Sequence, residues 1–141
     1  MTVPSPTTVR QAAVLVALEG AALIVVAVVL VVRHLAGVEE RPWLSGYGTA
    51  GWFVIMGSAV FAAGWALWTG RRWGRGIAVF AQLLLLPVTW YIAVGSHQWL
   101  YGIPIGAVAL VTLALLFSPS ALQWLGVQDS ASADNSGPDT R

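Results

Sequence analysis

The chain has no cysteine and no lysine, and only 9% of its 141 residues are charged. Without cysteine there is no disulfide scaffold, no thiol redox pair and no thiolate metal site. A soluble domain carries roughly 25% charged residues, so the scarcity of charge excludes an ordinary water-exposed surface. The net charge is +1 and every basic side chain is isolated or in one short loop, so no cationic face suits a nucleic-acid partner. Also missing are an HExxH pair, a Ser-His-Asp set, a glycine-rich phosphate loop after a strand and paired carboxylates in one helix.

What is present is apolar sequence in long blocks. Hydrophobic residues make up 57% of the chain. A bilayer core of ~30 Å needs about 20 apolar residues per helix. Four blocks meet that length, at about 11–32, 49–69, 77–95 and 99–117. The sequence therefore predicts an all-α membrane protein: a four-helix transmembrane bundle with short loops, occupying 10–119. Residues 1–9 read as a mobile lead, and 120–127 as an interfacial turn carrying Trp124. From Gln128 to Arg141 the Ser, Asp, Gly and Pro content predicts a disordered polar C-terminal tail. The first apolar block is too long for a signal peptide and ends without a small-x-small cleavage site, so a retained helix is expected.

Arginine placement sets an orientation. With the loop GRRWGRG in the cytoplasm, Arg10, Arg71, Arg72 and Arg75 share that side, against Arg33 and Arg41 on the other. Both termini are then cytoplasmic. Aromatic belts at both interfaces agree and carry no functional weight.

One carboxylate breaks the first block, VLVALEGAALIVVAVVLVV. Glu19 lies nine residues past Arg10, ~13 Å along a helix and well inside the hydrocarbon. A charge there costs a few kcal/mol on insertion scales. It is expected to be neutral, paired or facing a wet cavity. Gln82 lies seven residues past Arg75, at nearly the same depth on a helix running in the same direction. Thr112 on the fourth helix passes that level too. Glu19, Gln82 and Thr112 thus form a candidate intramembrane polar site. Its plain reading is packing glue between helices. Its functional readings are a proton-coupled or ligand-binding carboxyl, or a tie to another subunit.

Three weaker features remain. Arg71, Arg72 and Arg75 around Trp73 could hold anionic lipid headgroups, or act only as a topology signal. His34 and His97 fall at the outer ends of helices 1 and 3, where with Glu39 and Glu40 they form a weak candidate for a metal or haem site. Water-exposed interfacial histidine is the plainer reading, and no cofactor is expected. Pro87 in LLLLPVTW should kink the third helix. Small residues on the second helix, Ser58–Ala62–Ala66 and Ala59–Ala63, would allow close helix approach.

The stretch RRWGRGIAVFAQLLLLPVTWYI, with LVALEGAALI in the first helix, resembles a widespread type of small actinobacterial integral membrane protein without an assigned activity. The likeness runs over most of 10–120 and implies a bacterial plasma-membrane location. A second likeness is architectural. Small multidrug resistance transporters also have four short helices and one essential Glu in the first, a position that only Glu19 matches. The chain lacks their aromatic and small-residue motifs in helices 2 and 3, and its first loop and tail are longer.

The sequence thus points first to a non-catalytic accessory or subunit protein whose partners are the bilayer and another membrane protein. The alternative is a small proton-coupled carrier or lipid-handling homodimer using Glu19. A haem or metal protein using His34 and His97 comes third.

Overall fold

The computed structural model describes residues 4–38 and 46–137. It contains five α-helices and, among the described residues, no strand: α1 (Thr7–Leu35), α2 (Gly46–Trp68), α3 (Trp73–Trp90), α4 (Trp99–Leu116) and α5 (Pro119–Asn135). A single π turn, Tyr91–Gly95, extends α3. Four helices are long and apolar enough to cross a membrane: α1, α2, α3 with its π turn, and α4.

The helix ends follow local chemistry rather than hydropathy. Pro6 sits in extended backbone immediately before α1, so the helix begins at Thr7 and takes in residues expected to belong to a mobile lead. Val9 is buried in the core as a result. α1 closes on Gly37 in the left-handed region (φ 71°), where Gly37 N–H donates to His34 O and Val38 N–H to Arg33 O. α2 closes the same way on Gly70 (φ 80°), with Gly70 N–H to Leu67 O and Arg71 N–H to Ala66 O. These paired bonds satisfy last-turn carbonyls that a helix end otherwise leaves open. In α3, Pro87 supplies no N–H, and one turn later the helix widens so that Ser96 N–H reaches Tyr91 O. His97 then takes the left-handed conformation (φ 53°) that turns the chain into α4.

α1 and α2 form the tightest pair. Ala13, Gly20 and Ala27 recur every seven residues, as do Ala50, Gly57 and Gly64, and all six are buried. A repeat of seven keeps one seam facing its partner along an antiparallel pair. At that seam a Cβ on Gly20 would lie 2.4 Å from Phe61 N, and one on Gly57 2.9 Å from Gly20 O. A Cβ on Gly64 would lie 2.7 Å from Ala17 N. Backbones approach this closely only where side chains are absent, the device by which helices associate in lipid. α3 packs on α2, α4 on α3, and α4 closes back on α1, giving a four-membered ring.

The larger buried side chains gather at the end bearing the Arg loop. Val9, Val16, Leu67 and Leu116 are almost wholly buried there with Ala12, Ala78, Ala121 and Trp124. α5 supplies the last two and corrects the expected tail. Ser118 caps it, accepting from Ala121 N–H at 3.3 Å, with Pro119 in the first turn. The helix runs on to Asn135 through residues expected to be disordered. Two contacts hold it: Gln128 Nε2 donates to Gly70 O at 3.2 Å, and Arg72 pairs with Asp129. Composition reads such a segment as unable to bury a face, but this one needs only Ala121, Trp124 and Gln128 to dock.

Candidate functional site

Glu19 projects from the fourth turn of α1 toward the middle of the ring. Gln82 is wholly buried on α3. Its Nε2 donates to Glu19 Oε2, so the bond crosses the ring diagonally from α1 to α3. Glu19 itself is half-buried. The other oxygens of the pair, Glu19 Oε1 and Gln82 Oε1, are buried without a partner. A carboxylic acid facing a primary amide has complementary groups for two bonds: amide N–H to acid C=O, and acid O–H to amide C=O. The structure shows the first, and the two open oxygens are the groups the second would use.

Thr112 does not join the pair. It is fully buried, but its hydroxyl donates to Val108 O at 2.8 Å in its own helix. Thr89, the other buried threonine of the spans, likewise bonds Leu86 O at 2.8 Å. The polar centre of the bundle is therefore two side chains, not three.

The Arg loop is divided among three roles. Arg75 donates from Nε and Nη2 to Leu116 O, at 3.3 and 3.1 Å, and lies 4.9 Å from the Phe117 ring centroid. It thereby caps the C-terminus of α4, where a cation is favoured by the helix dipole. Arg72 reaches Asp129 on α5. Arg71 is exposed. The three do not make one common anion cradle, because two are occupied by the protein.

The histidines lie apart in role. His34, at the end of α1, meets Tyr47 edge-on with centroids 4.3 Å apart. His97 occupies the α3–α4 turn. Glu39 and Glu40 lie outside the described residues. Among the described residues no group of three potential ligands assembles.

One feature was not visible as a site in the sequence. A groove of about 210 Å³ runs along the outer side of the α1–α2 seam, lined by Ala13, Val14, Ala17, Phe61, Gly64, Trp65 and Trp68. Arg10 ends it, with its guanidinium carbon 4.2 Å from the Trp68 ring centroid. The alanines and Gly64 that make the seam tight also leave this furrow, and their heptad spacing was the signal available. Comparison with protein-family models, curated proteins and solved structures finds no match to this chain. The functional reading therefore rests on the geometry.

Proposed function

We propose that the chain is a multi-pass protein of the bacterial plasma membrane, with both termini cytoplasmic, that serves as a non-catalytic accessory subunit and engages its partner through transmembrane helix packing. The observation that carries this reading is the outward face of α2. Gly51, Ile55, Ser58 and Ala62 follow one another along it, all exposed, and a Cβ on Gly51 would meet nothing within 4 Å. Of the small residues on α2, Ala63 and Ala66 turn inward against α3, where Gly74 packs, while Ser58 and Ala62 face out. Small residues on a lipid-facing helix lane suit close approach by another helix. The Glu19–Gln82 bond supports the non-catalytic part, since it employs the one intramembrane carboxylate as a tie between α1 and α3. Arginine at the α2–α3 loop supports the orientation.

The natural absence of cysteine makes the test direct. Ala62→Cys and Ser58→Cys should give a discrete oxidative cross-link in native membranes, either to a partner or to a second copy. Leu110→Cys, exposed on α4, should not. Equal cross-linking at all three positions, or none at any, removes the proposal.

A second reading follows from the open oxygens of Glu19 and Gln82. In it, Glu19 is a proton-exchanging group of a small carrier. It requires an infrared carboxyl band that titrates reversibly in the working pH range and vanishes in Glu19→Gln. It also requires that this variant, still inserted, lose transport.

A further inference from the structure

The α1–α2 groove has both an apolar floor and a charged end. Its floor is Ala13, Ala17 and Gly64; its walls are Val14, Phe61, Trp65 and Trp68. From Trp68 to Phe61 it follows seven residues of α2, ~10 Å of helix. It lies within two helices apolar enough to cross a membrane, so what fills it there must be apolar. At about 210 Å³ it is smaller than the ~300 Å³ at which drug-sized pockets begin. Its narrow, open form suits a linear chain better than a compact ligand.

The end of the groove decides the occupant. Arg10 is exposed there and lies over Trp68, and no described carboxylate pairs with it. Asp129, a described acid at this end of the bundle, is taken by Arg72. Arg71 follows Trp68 by three residues and is also exposed. An apolar partner helix seated in the groove would bury the Arg10 guanidinium and would have to supply an acid of its own at that end. A phospholipid would place its phosphate on it at headgroup depth.

We infer that this groove is a site for one anionic phospholipid, with an acyl chain along Ala13, Ala17 and Gly64 and the phosphate on Arg10. The Trp65 and Trp68 rings flank the upper part of the chain. Tryptophan suits this level of the membrane, since its ring is amphipathic. The anion preference comes from a bundle end carrying Arg10, Arg71, Arg72 and Arg75 against Asp129 and Asp134.

The test is native mass spectrometry of the full chain extracted from bilayers of equal phosphatidylglycerol and phosphatidylcholine, with stepwise delipidation. Wild type should keep one phosphatidylglycerol after other lipid is lost. Arg10→Gln should reduce the preference for phosphatidylglycerol over phosphatidylcholine about fivefold, the effect of roughly one surface arginine. Trp65→Ala, at a side chain 64% exposed and so dispensable for the fold, should weaken retention of both lipids. Arg33→Gln, at the other end of α1, should match wild type. Equal retention by Arg10→Gln and wild type overturns the assignment. So does a protein dimer that Trp65→Ala disperses, because the groove would then hold a second copy.

Discussion

Removing both members of the Glu19–Gln82 pair should harm the protein less than removing either one. Gln82 is wholly buried, and its amide spends Nε2 on Glu19. In Glu19→Leu that N–H loses its acceptor while Gln82 Oε1 already lacks a donor. An unsatisfied buried polar group costs about 1–3 kcal/mol, so Glu19→Leu should lie near 2 kcal/mol. Gln82→Leu leaves the carboxyl without its amide. Glu19 Oε1 is buried without a partner as well, so this variant should also cost about 1–2 kcal/mol by the same rule. The double variant replaces both polar ends by apolar groups of similar size, an exchange that is close to neutral. With the single variants summing to about 3–4 kcal/mol and the double variant near zero, the coupling energy should reach about 3 kcal/mol, above the ~1.7 maximum of ordinary interhelical pairs in a membrane bundle because each single variant strands a buried polar group. Unfolding in mixed micelles, followed by the eight tryptophans, measures all four proteins. Free energies that add within about 0.3–0.5 kcal/mol would mean that the two side chains do not bond, and the diagonal tie between α1 and α3 would be refuted.

Glycine substitutions should divide sharply. Gly20→Ala puts a methyl 2.4 Å from Phe61 N and should destabilise by ~1–3 kcal/mol through overpacking, whereas Gly51→Ala, with open space around it, should be neutral or stabilising by up to ~1 kcal/mol; thermal unfolding in detergent separates them. Arg75→Ala should leave the Leu116 carbonyl uncapped and cost ~0.3–1 kcal/mol, seen as faster amide exchange at the α4–α5 junction; exchange unchanged from wild type would refute the cap. Gln128→Ala should release α5 from Gly70, while Asp129→Asn should change stability by no more than ~1 kcal/mol because that pair is exposed at 40% and 71%. Exchange over 119–135 reads both, and equal protection in the two variants would show that the Gln128 bond does not hold α5.

Hydropathy located the four long apolar helices because each block is long and nearly uninterrupted, but it missed their ends. Arg10 and Gln11 look like the border of α1, yet the border is set by Pro6, three residues before a buried Val9. Counting residues from Arg10 and Arg75 gives the depth of Glu19 and Gln82, and the structure joins them. The same counting places Thr112 near that level and cannot say where its hydroxyl turns. A helical threonine has its own preceding carbonyl within reach, and Val108 O takes the bond. The Arg loop reads as one cationic unit because its members are adjacent in sequence. Their partners, Leu116 O and Asp129, come from segments over forty residues later, where no local pattern points to them. α5 escaped notice for the same reason: its polar composition is ordinary for a tail, and its polar anchors, Gly70 and Arg72, lie in the loop after α2.

The distribution of close contacts makes the two ends of the bundle mechanically different. Lipid tails are as apolar as leucine, so association in the membrane depends on packing and polar ties. At the Arg-rich end the α1–α2 and α3–α4 hairpins share a core of large side chains and the Gly74 contact with Ala63 and Ala66, while the Arg75 cap ties α3 to α4. Toward the opposite end the buried residues shrink to Ala27, Ala50, Ala93, Gly102 and Thr89. The glycine contacts there join α1 to α2 at Gly20 and Gly57, and α3 to α4 at Gly102 and Gly106. Each hairpin is thus zipped along its own length, while the described glycine contact between hairpins lies only at the Arg-rich end. The Glu19–Gln82 bond crosses between them close to that boundary. A carboxyl at this position, rather than deeper in the shared core, couples the two hairpins where close packing gives way to small side chains, which is where one polar tie changes most.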